Sequence, residues 1–174
     1  FMHFFQIDNS CFARRIMLYY ELLLIYCLLE ADTDMKVEMH THTSETSPCA
    51  HICAQDVIKM YKEAGYDTVV ITDHYSKWVF EKNGAKTPDE VTSHFLKGYK
   101  TALGCAETYD INVLLGCEVT LTESPNDYLL YGVNEEFFHK HPFLYNLSLE
   151  ELSEICHNEN ILIVQAHPNR AYCE

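Results

Sequence analysis

His40-Thr41-His42-Thr43 closes a short apolar run, Met35-Lys36-Val37-Glu38-Met39. In an extended strand, residues two apart project from the same face, so His40 and His42 can direct both imidazoles at one point where the strand ends. Two convergent imidazoles are a metal-binding arrangement, although an isolated H-x-H carries little weight. Here three more segments repeat the placement. Ile71-Thr72-Asp73-His74, Gly116-Cys117-Glu118-Val119 and Gln165-Ala166-His167-Pro168 each set a candidate ligand directly after a β-rich apolar run. A histidine kept only for its polarity has no reason to prefer strand ends, so four such ends point to one shared metal centre.

The elements that must position these ligands follow from the same chain. From Met35 onward strand-like and helix-like segments alternate, which predicts parallel β/α units. Ala54 to Ala64 carries apolar residues at Val57, Ile58, Tyr61 and Ala64 with helical spacing, and Gly65 stops it. Thr68 to Thr72 reads as a buried strand. A polar loop leads to Thr87-Pro88-Asp89-Glu90, where Thr caps, Pro takes the first helical position and the acids suit the positive helix end. A long helix to about Thr108 is therefore expected. Ile111 to Cys117 and Tyr128 to Val133 are the next strands, Ser148-Leu149-Glu150-Glu151 opens a helix to about Asn158 as a capping box, and Ile161 to Gln165 is the last strand.

With 174 residues, 48% of them apolar and 22% charged, the chain has the composition of one ordinary globular domain. The net charge of -14, from 12 basic and 26 acidic residues, argues against a nucleic-acid surface, which needs clustered Lys and Arg. Eight cysteines are scattered with no C-x-x-C pair, several inside apolar runs, so reduced thiols in a cytoplasmic protein are expected rather than a disulfide scaffold. Residues 1–34 read differently. Arg14-Arg15 precede an apolar stretch, Ile16 to Leu29, that is interrupted by Glu21 and followed by acidic Glu30-Ala31-Asp32-Thr33-Asp34. The stretch is shorter than the roughly 18–20 residues a membrane span needs, and no small-x-small cleavage pattern follows it. Residues 1–34 are thus set apart as a leader able to form a hydrophobic helix, and residues 35–174 as the domain.

The order H-x-H-T, T-D-H, G-x-E and A-H-P resembles the PHP (polymerase and histidinol phosphatase) superfamily of metal-dependent phosphoesterases, from Met35 to about Arg170. The resemblance implies an α/β fold, a PHP-type distorted (β/α)7 barrel with two or three divalent metal ions at the C-terminal ends of its strands. His40, His42 and Glu118 would hold the first ion, Glu118 would bridge to a second that also uses His167, and His74 would serve the third. Glu118, His167 and Asp73 would carry the catalytic work. Two departures stand out. Where many trinuclear members have another His six residues after the H-x-H, this chain has Pro48, so His51 would have to substitute or the third site is weakened. The late D-x-H motif is absent before Glu174, so an incomplete barrel of four or five strands is expected.

Imidazoles with a bridging carboxylate suit Zn, Mn or Fe, and no cluster of thiolates at the strand ends suggests a structural zinc site. Two such ions about 3.5–4 Å apart can lower the pKa of a hydroxide between them and stabilise ester oxygens, so the expected reaction is hydrolysis of a phosphate ester by a metal-bound hydroxide. The substrate implied is a small phosphorylated metabolite, such as histidinol phosphate, or a nucleotide fragment. A catalytically inactive metal-binding module and a barrel-type hydrolase of C–N bonds are the alternatives. Further residues carry weaker expectations. Asp73 could orient a ligand from behind, Arg170 could bind a substrate phosphate, and Tyr75 and Lys77 would face the site entrance. His139 and His141 read as surface residues, and Phe137, Phe138 and Phe143 as core.

Overall fold

The computed structural model describes residues 35–169; the expected leader, residues 1–34, and Arg170 lie outside the described residues. Six strands are present, β1 (Val37–Thr41), β2 (Thr68–Ile71), β3 (His74–Tyr75), β4 (Asn112–Thr120), β5 (Asp127–Tyr131) and β6 (Leu162–Gln165). They form one sheet in the order β1-β2-β4-β5-β6, with β3 beside β4. β3 is the line of β2 resumed: Ile71 pairs Leu115 and His74 pairs Glu118 at the same offset, with Thr72 and Asp73 between. The sheet is a mixed, curled half-barrel, consistent with an incomplete barrel of the expected type.

The strand directions differ from a run of parallel units. β1, β2, β3 and β4 are parallel, whereas β5 pairs antiparallel with both β4 and β6. Only a short loop joins β4 to β5, too short for the crossover that a parallel neighbour requires, so β5 must reverse. β4 and β6 therefore point the same way, and the end of the sheet that gathers their C-termini gathers the N-terminus of β5.

Among the described residues five α-helices flank the strands: α1 (Ala54–Glu63), α2 (Lys77–Lys82), α3 (Pro88–Tyr109), α4 (Glu135–Lys140) and α5 (Leu149–Asn158). The short α2 falls in the segment expected as polar loop, where the Ser76 side chain caps it by accepting from Val79 N–H. α3 starts with Thr87 and Glu90 satisfying each other's backbone donors, and Ser148 with Glu151 repeats this at α5. One apolar cluster joins α1 to β2, the start of β4 and the C-terminal half of α3 through Ile58, Val69, Ile71, Ala102 and Val113. A larger one joins Phe80, Phe95, Cys117, Leu130, Phe138 and Leu152. Tyr75 belongs to this second cluster rather than to the site entrance: it is fully buried and its hydroxyl donates to the Pro142 carbonyl at 2.8 Å. Phe137 and Phe138 are core as expected, while Phe143 stays 36% exposed. His139 is exposed, but His141 is half-buried and its Nε2 lies 3.0 Å from Glu159 Oε1, so the expected surface pair divides.

Candidate metal centre

The alternation of β1 and the turn after it bring His40 and His42 to the same point, their Nε2 atoms 3.1 Å apart. Glu118 sits on β4, paired across to His74 on β3, and its side chain has no exposed surface. Its Oε2 lies 3.2 Å from His40 Nε2, 3.1 Å from His42 Nε2 and 3.1 Å from His74 Nδ1. Its Oε1 lies 3.0 Å from His167 Nε2. The structure thus gathers His40, His42, His74 and His167 from three segments around the Glu118 carboxylate, which a fourth segment supplies. The backbone helps at the last of these histidines. His167 takes φ of 32°, left-handed for a non-glycine residue, and Ala166 N–H is tied to the Asp127 carbonyl at 2.8 Å, so the chain turns back over the sheet end.

Sequence reasoning missed Asp127. It opens the reversed strand β5, accepts from Thr120 Oγ1 at 2.5 Å, and sets Oδ2 3.7 Å from His167 Nε2. The available signal was an acidic residue directly ahead of the apolar run Tyr128-Leu129-Leu130, but reading every strand as parallel placed that end of β5 away from the site. With Asp127 included, two groups of ligand atoms lie within 4.8 Å of one another: His40, His42 and Glu118, and Glu118, Asp127 and His167.

Asp73 is placed behind the ligands. Its buried carboxylate accepts from Thr43 N–H at 2.7 Å, Thr43 Oγ1 at 2.6 Å and Ser47 Oγ at 2.6 Å. Ser47 Oγ in turn accepts from His74 N–H at 2.9 Å and lies 3.4 Å from His42 Nδ1. This lashes the loop after β1 to the end of β2: both Asp73 oxygens are turned toward that loop, so Asp73 reaches the ligands through Thr43 and Ser47. Gly98 of α3 leaves the room this needs, because a Cβ there would stand 1.9 Å from Thr43 Oγ1 and 2.3 Å from Asp73 Oδ2. His51, one of the two ways the sequence left for the third site, lines an apolar groove of about 470 Å³ beside His40 and His42, with Ile52, Val57, Met60 and Tyr61. Cys49 instead joins His42 and His74 in a third group of ligand atoms.

The electrostatics fit a cation. Burial alone would push the Glu118 pKa up, yet the contacts with His40 and His42 and the nearness of His74 hold it well below the usual carboxylate range. The contact with Glu118 raises the pKa of His40 against the opposing effect of burial, while burial, followed by the neighbouring His42, lowers that of His74. Among the described residues the ion-pair partners of Glu118 are all histidines. Moreover, Glu118 Oε2 is buried without a hydrogen bond of good geometry despite three imidazole nitrogens within 3.2 Å. A buried carboxylate oxygen with no hydrogen bond of its own, ringed by imidazole nitrogens, is what a divalent cation would satisfy, and a buried carboxylate needs such a charge. The donor set of imidazoles and carboxylates suits the ions expected from the sequence.

Comparison with known proteins agrees with this geometry. The model of the PHP domain family matches residues 38–171, so the chain belongs to the PHP domain family. The solved structure of a two-domain protein from Bacteroides vulgatus, containing a predicted PHP-like metal-dependent phosphoesterase, superposes with a TM-score of 0.55 at 14% identity over 77% of this chain and 35% of that one. It shares the fold, and the chain spans about a third of its length. A protein from Bifidobacterium adolescentis named as a metal-dependent phosphoesterase gives 0.39 at 20% identity, covering 56% of this chain and 28% of that one. An amidohydrolase from Chromobacterium violaceum gives 0.37 at 19% identity over 55% and 26%. No curated protein sequence matches. No helix among the described residues is long and apolar enough to cross a membrane.

Proposed function

We propose that this chain forms the ligand-bearing part of a metal-dependent phosphoesterase, with two divalent cations shared across Glu118. The observation that carries the reading is the Glu118 carboxylate itself: Oε2 faces His40 and His42, Oε1 faces His167 with Asp127 beyond it, and the residue is fully buried. His40 and His42 would hold one cation and His167 with Asp127 the other, while Glu118 bridges them. Cations bound there supply a nucleophilic water at neutral pH and stabilise ester oxygens that gain charge. The protein's own share is to hold these imidazoles and the ionised Glu118 bridge at one point, where a cation would take the place of any proton between them. Asp73 acts as a positioning residue, holding Thr43 and Ser47 so that the loop keeps His42 and His74 in place.

The substrate we infer is a small phosphorylated metabolite, because an acidic chain with few cations suits local capture of one phosphate by metal rather than a charged polymer. Elemental analysis of the purified chain should find about two equivalents of Zn, Mn or Fe. Glu118→Gln keeps the size of the side chain but removes the bridging charge, and should lose both ions together with orders of magnitude of turnover on a generic phosphate ester, with circular dichroism unchanged. Full metal content in that variant would refute the bridge.

A further inference from the structure

The two-cation reading uses His40, His42, Glu118, Asp127 and His167, and leaves one group over: His42, Cys49 and His74 present ligand atoms within 4.8 Å of one another. We propose that Cys49 supplies a thiolate to a third cation position, shared with His74, and that this sulfur makes the position select zinc-like ions over manganese or magnesium. The inference rests on the two-cation reading only for the assignment of His42. A neutral imidazole has one lone pair to give, and His42 Nε2 stands 3.1 Å from His40 Nε2, its partner at the first cation. What is left at the third position is His74 and Cys49.

Both are held by backbone. His74 is paired to Glu118 in the sheet, gives its N–H to Ser47 Oγ and stacks on His42 with ring centroids 4.4 Å apart at 17°. Cys49 lies in a loop closed on itself, where Ser44 N–H donates to the Ile52 carbonyl and Ala50 N–H to the Ser47 carbonyl, each at 3.0 Å. The loop is the same one that Asp73 anchors through Thr43 and Ser47. Cys49 is exposed, so an ion can arrive from solvent and the thiol proton can leave to it on binding. Other described cysteines are placed elsewhere. Cys53 gives its thiol to Asp56 at 3.3 Å, while Cys117 and Cys156 are buried in the apolar core.

The ligand chemistry then decides the ion. Imidazole and carboxylate serve Mn, Fe and Zn alike, but a thiolate is a softer donor that favours zinc and its spectroscopic stand-in cobalt(II) and discriminates against manganese and magnesium. With only two protein ligands the position keeps open sites for water or a phosphate oxygen, so it should be the weakest of the three. The family resemblance left this place either to His51 as a substitute or weakened, and the structure turns Cys49 there.

The test uses the full 174-residue chain. Titration with cobalt(II) should give a near-ultraviolet thiolate-to-metal charge-transfer band that rises only after two equivalents are bound; Cys49→Ser should abolish it and keep the first two equivalents, while Cys53→Ser leaves it unchanged. Independently, saturating zinc should slow alkylation of wild-type Cys49 at least tenfold, read by peptide mass spectrometry, and manganese should not. A band that survives in Cys49→Ser, or alkylation equally fast with and without zinc, overturns the proposal. If two ions bind and are lost in Glu118→Gln while no band appears, the third position alone is wrong; if no metal binds at all, both readings fall.

Discussion

The two halves of the sheet deliver ligands to the same carboxylate in different ways. In the parallel half, β1 to β4, the ligands sit at or near the ends of strands that run toward the site, with His74 opening β3 and Glu118 inside β4, and the strand between β1 and β4 is deeply covered: all four residues of β2 are buried. In the antiparallel half, β5 brings Asp127 from its beginning and β6 brings His167 through a left-handed turn. Among the described residues β6 pairs only with β5, and Leu162 is 59% and Val164 41% exposed. The difference teaches that strand direction decides which end of a strand can carry function, and that a ligand can be well placed on an element contributing little to the core. Glu118, on the strand common to both halves, is where they meet.

The sharpest way to break the comparison is to remove one ligand from each half. His40→Ala should cost the first cation and leave the second, whereas Asp127→Ala should do the reverse, each lowering phosphatase turnover by orders of magnitude with one equivalent of metal retained. Loss of both ions from either variant would show that the halves do not act separately. Asp73 and its partners Thr43 and Ser47 lie in the parallel half, so Asp73→Asn should weaken the first cation about 10–100-fold and the second far less, as read by competition with a chelating dye. Equal weakening of both would deny the loop anchor its selective part.

Stability should divide along the same line. Ile71→Ala empties a fully packed position on β2 and should cost about 2–5 kcal/mol, while Leu162→Ala on β6 should stay within about 0.5 kcal/mol, both measured by denaturant unfolding. Similar losses would mean that β6 is better covered than its exposure indicates. The smallest effect is one in which the halves should agree. Glu90 at the start of α3 and Glu151 at the start of α5 each have a lowered pKa, chiefly because backbone N–H groups of Thr87 and Ser148 respectively donate to them. A carboxyl whose folded pKa lies below its unfolded value of about 4.3 contributes stability above that value and loses it as pH falls through the folded pKa. Carboxyl titration by NMR should therefore place both below the ordinary glutamate range, and Glu90→Gln should flatten the acid limb of the stability curve; an ordinary value for either would remove that cap from the argument.

The sequence by itself determined the ligand types and most of the elements. H-x-H at the end of β1, His74 and Glu118 after apolar runs, and the capping boxes at Thr87 and Ser148 are local patterns, set by strand alternation and by unsatisfied helix N–H groups within a few residues. Only the tertiary structure decided what depends on direction and distance along the chain. It reversed β5, which brought in Asp127; it turned the Asp73 oxygens toward Thr43 and Ser47; it buried Tyr75 in the core; and it set Cys49, not His51, beside His74. Those outcomes rest on contacts between segments tens of residues apart, such as His74 with Glu118 and Asp73 with Thr43, on the reversal of β5 against β4, and on the room left by Gly98, none of which a periodicity within one segment records.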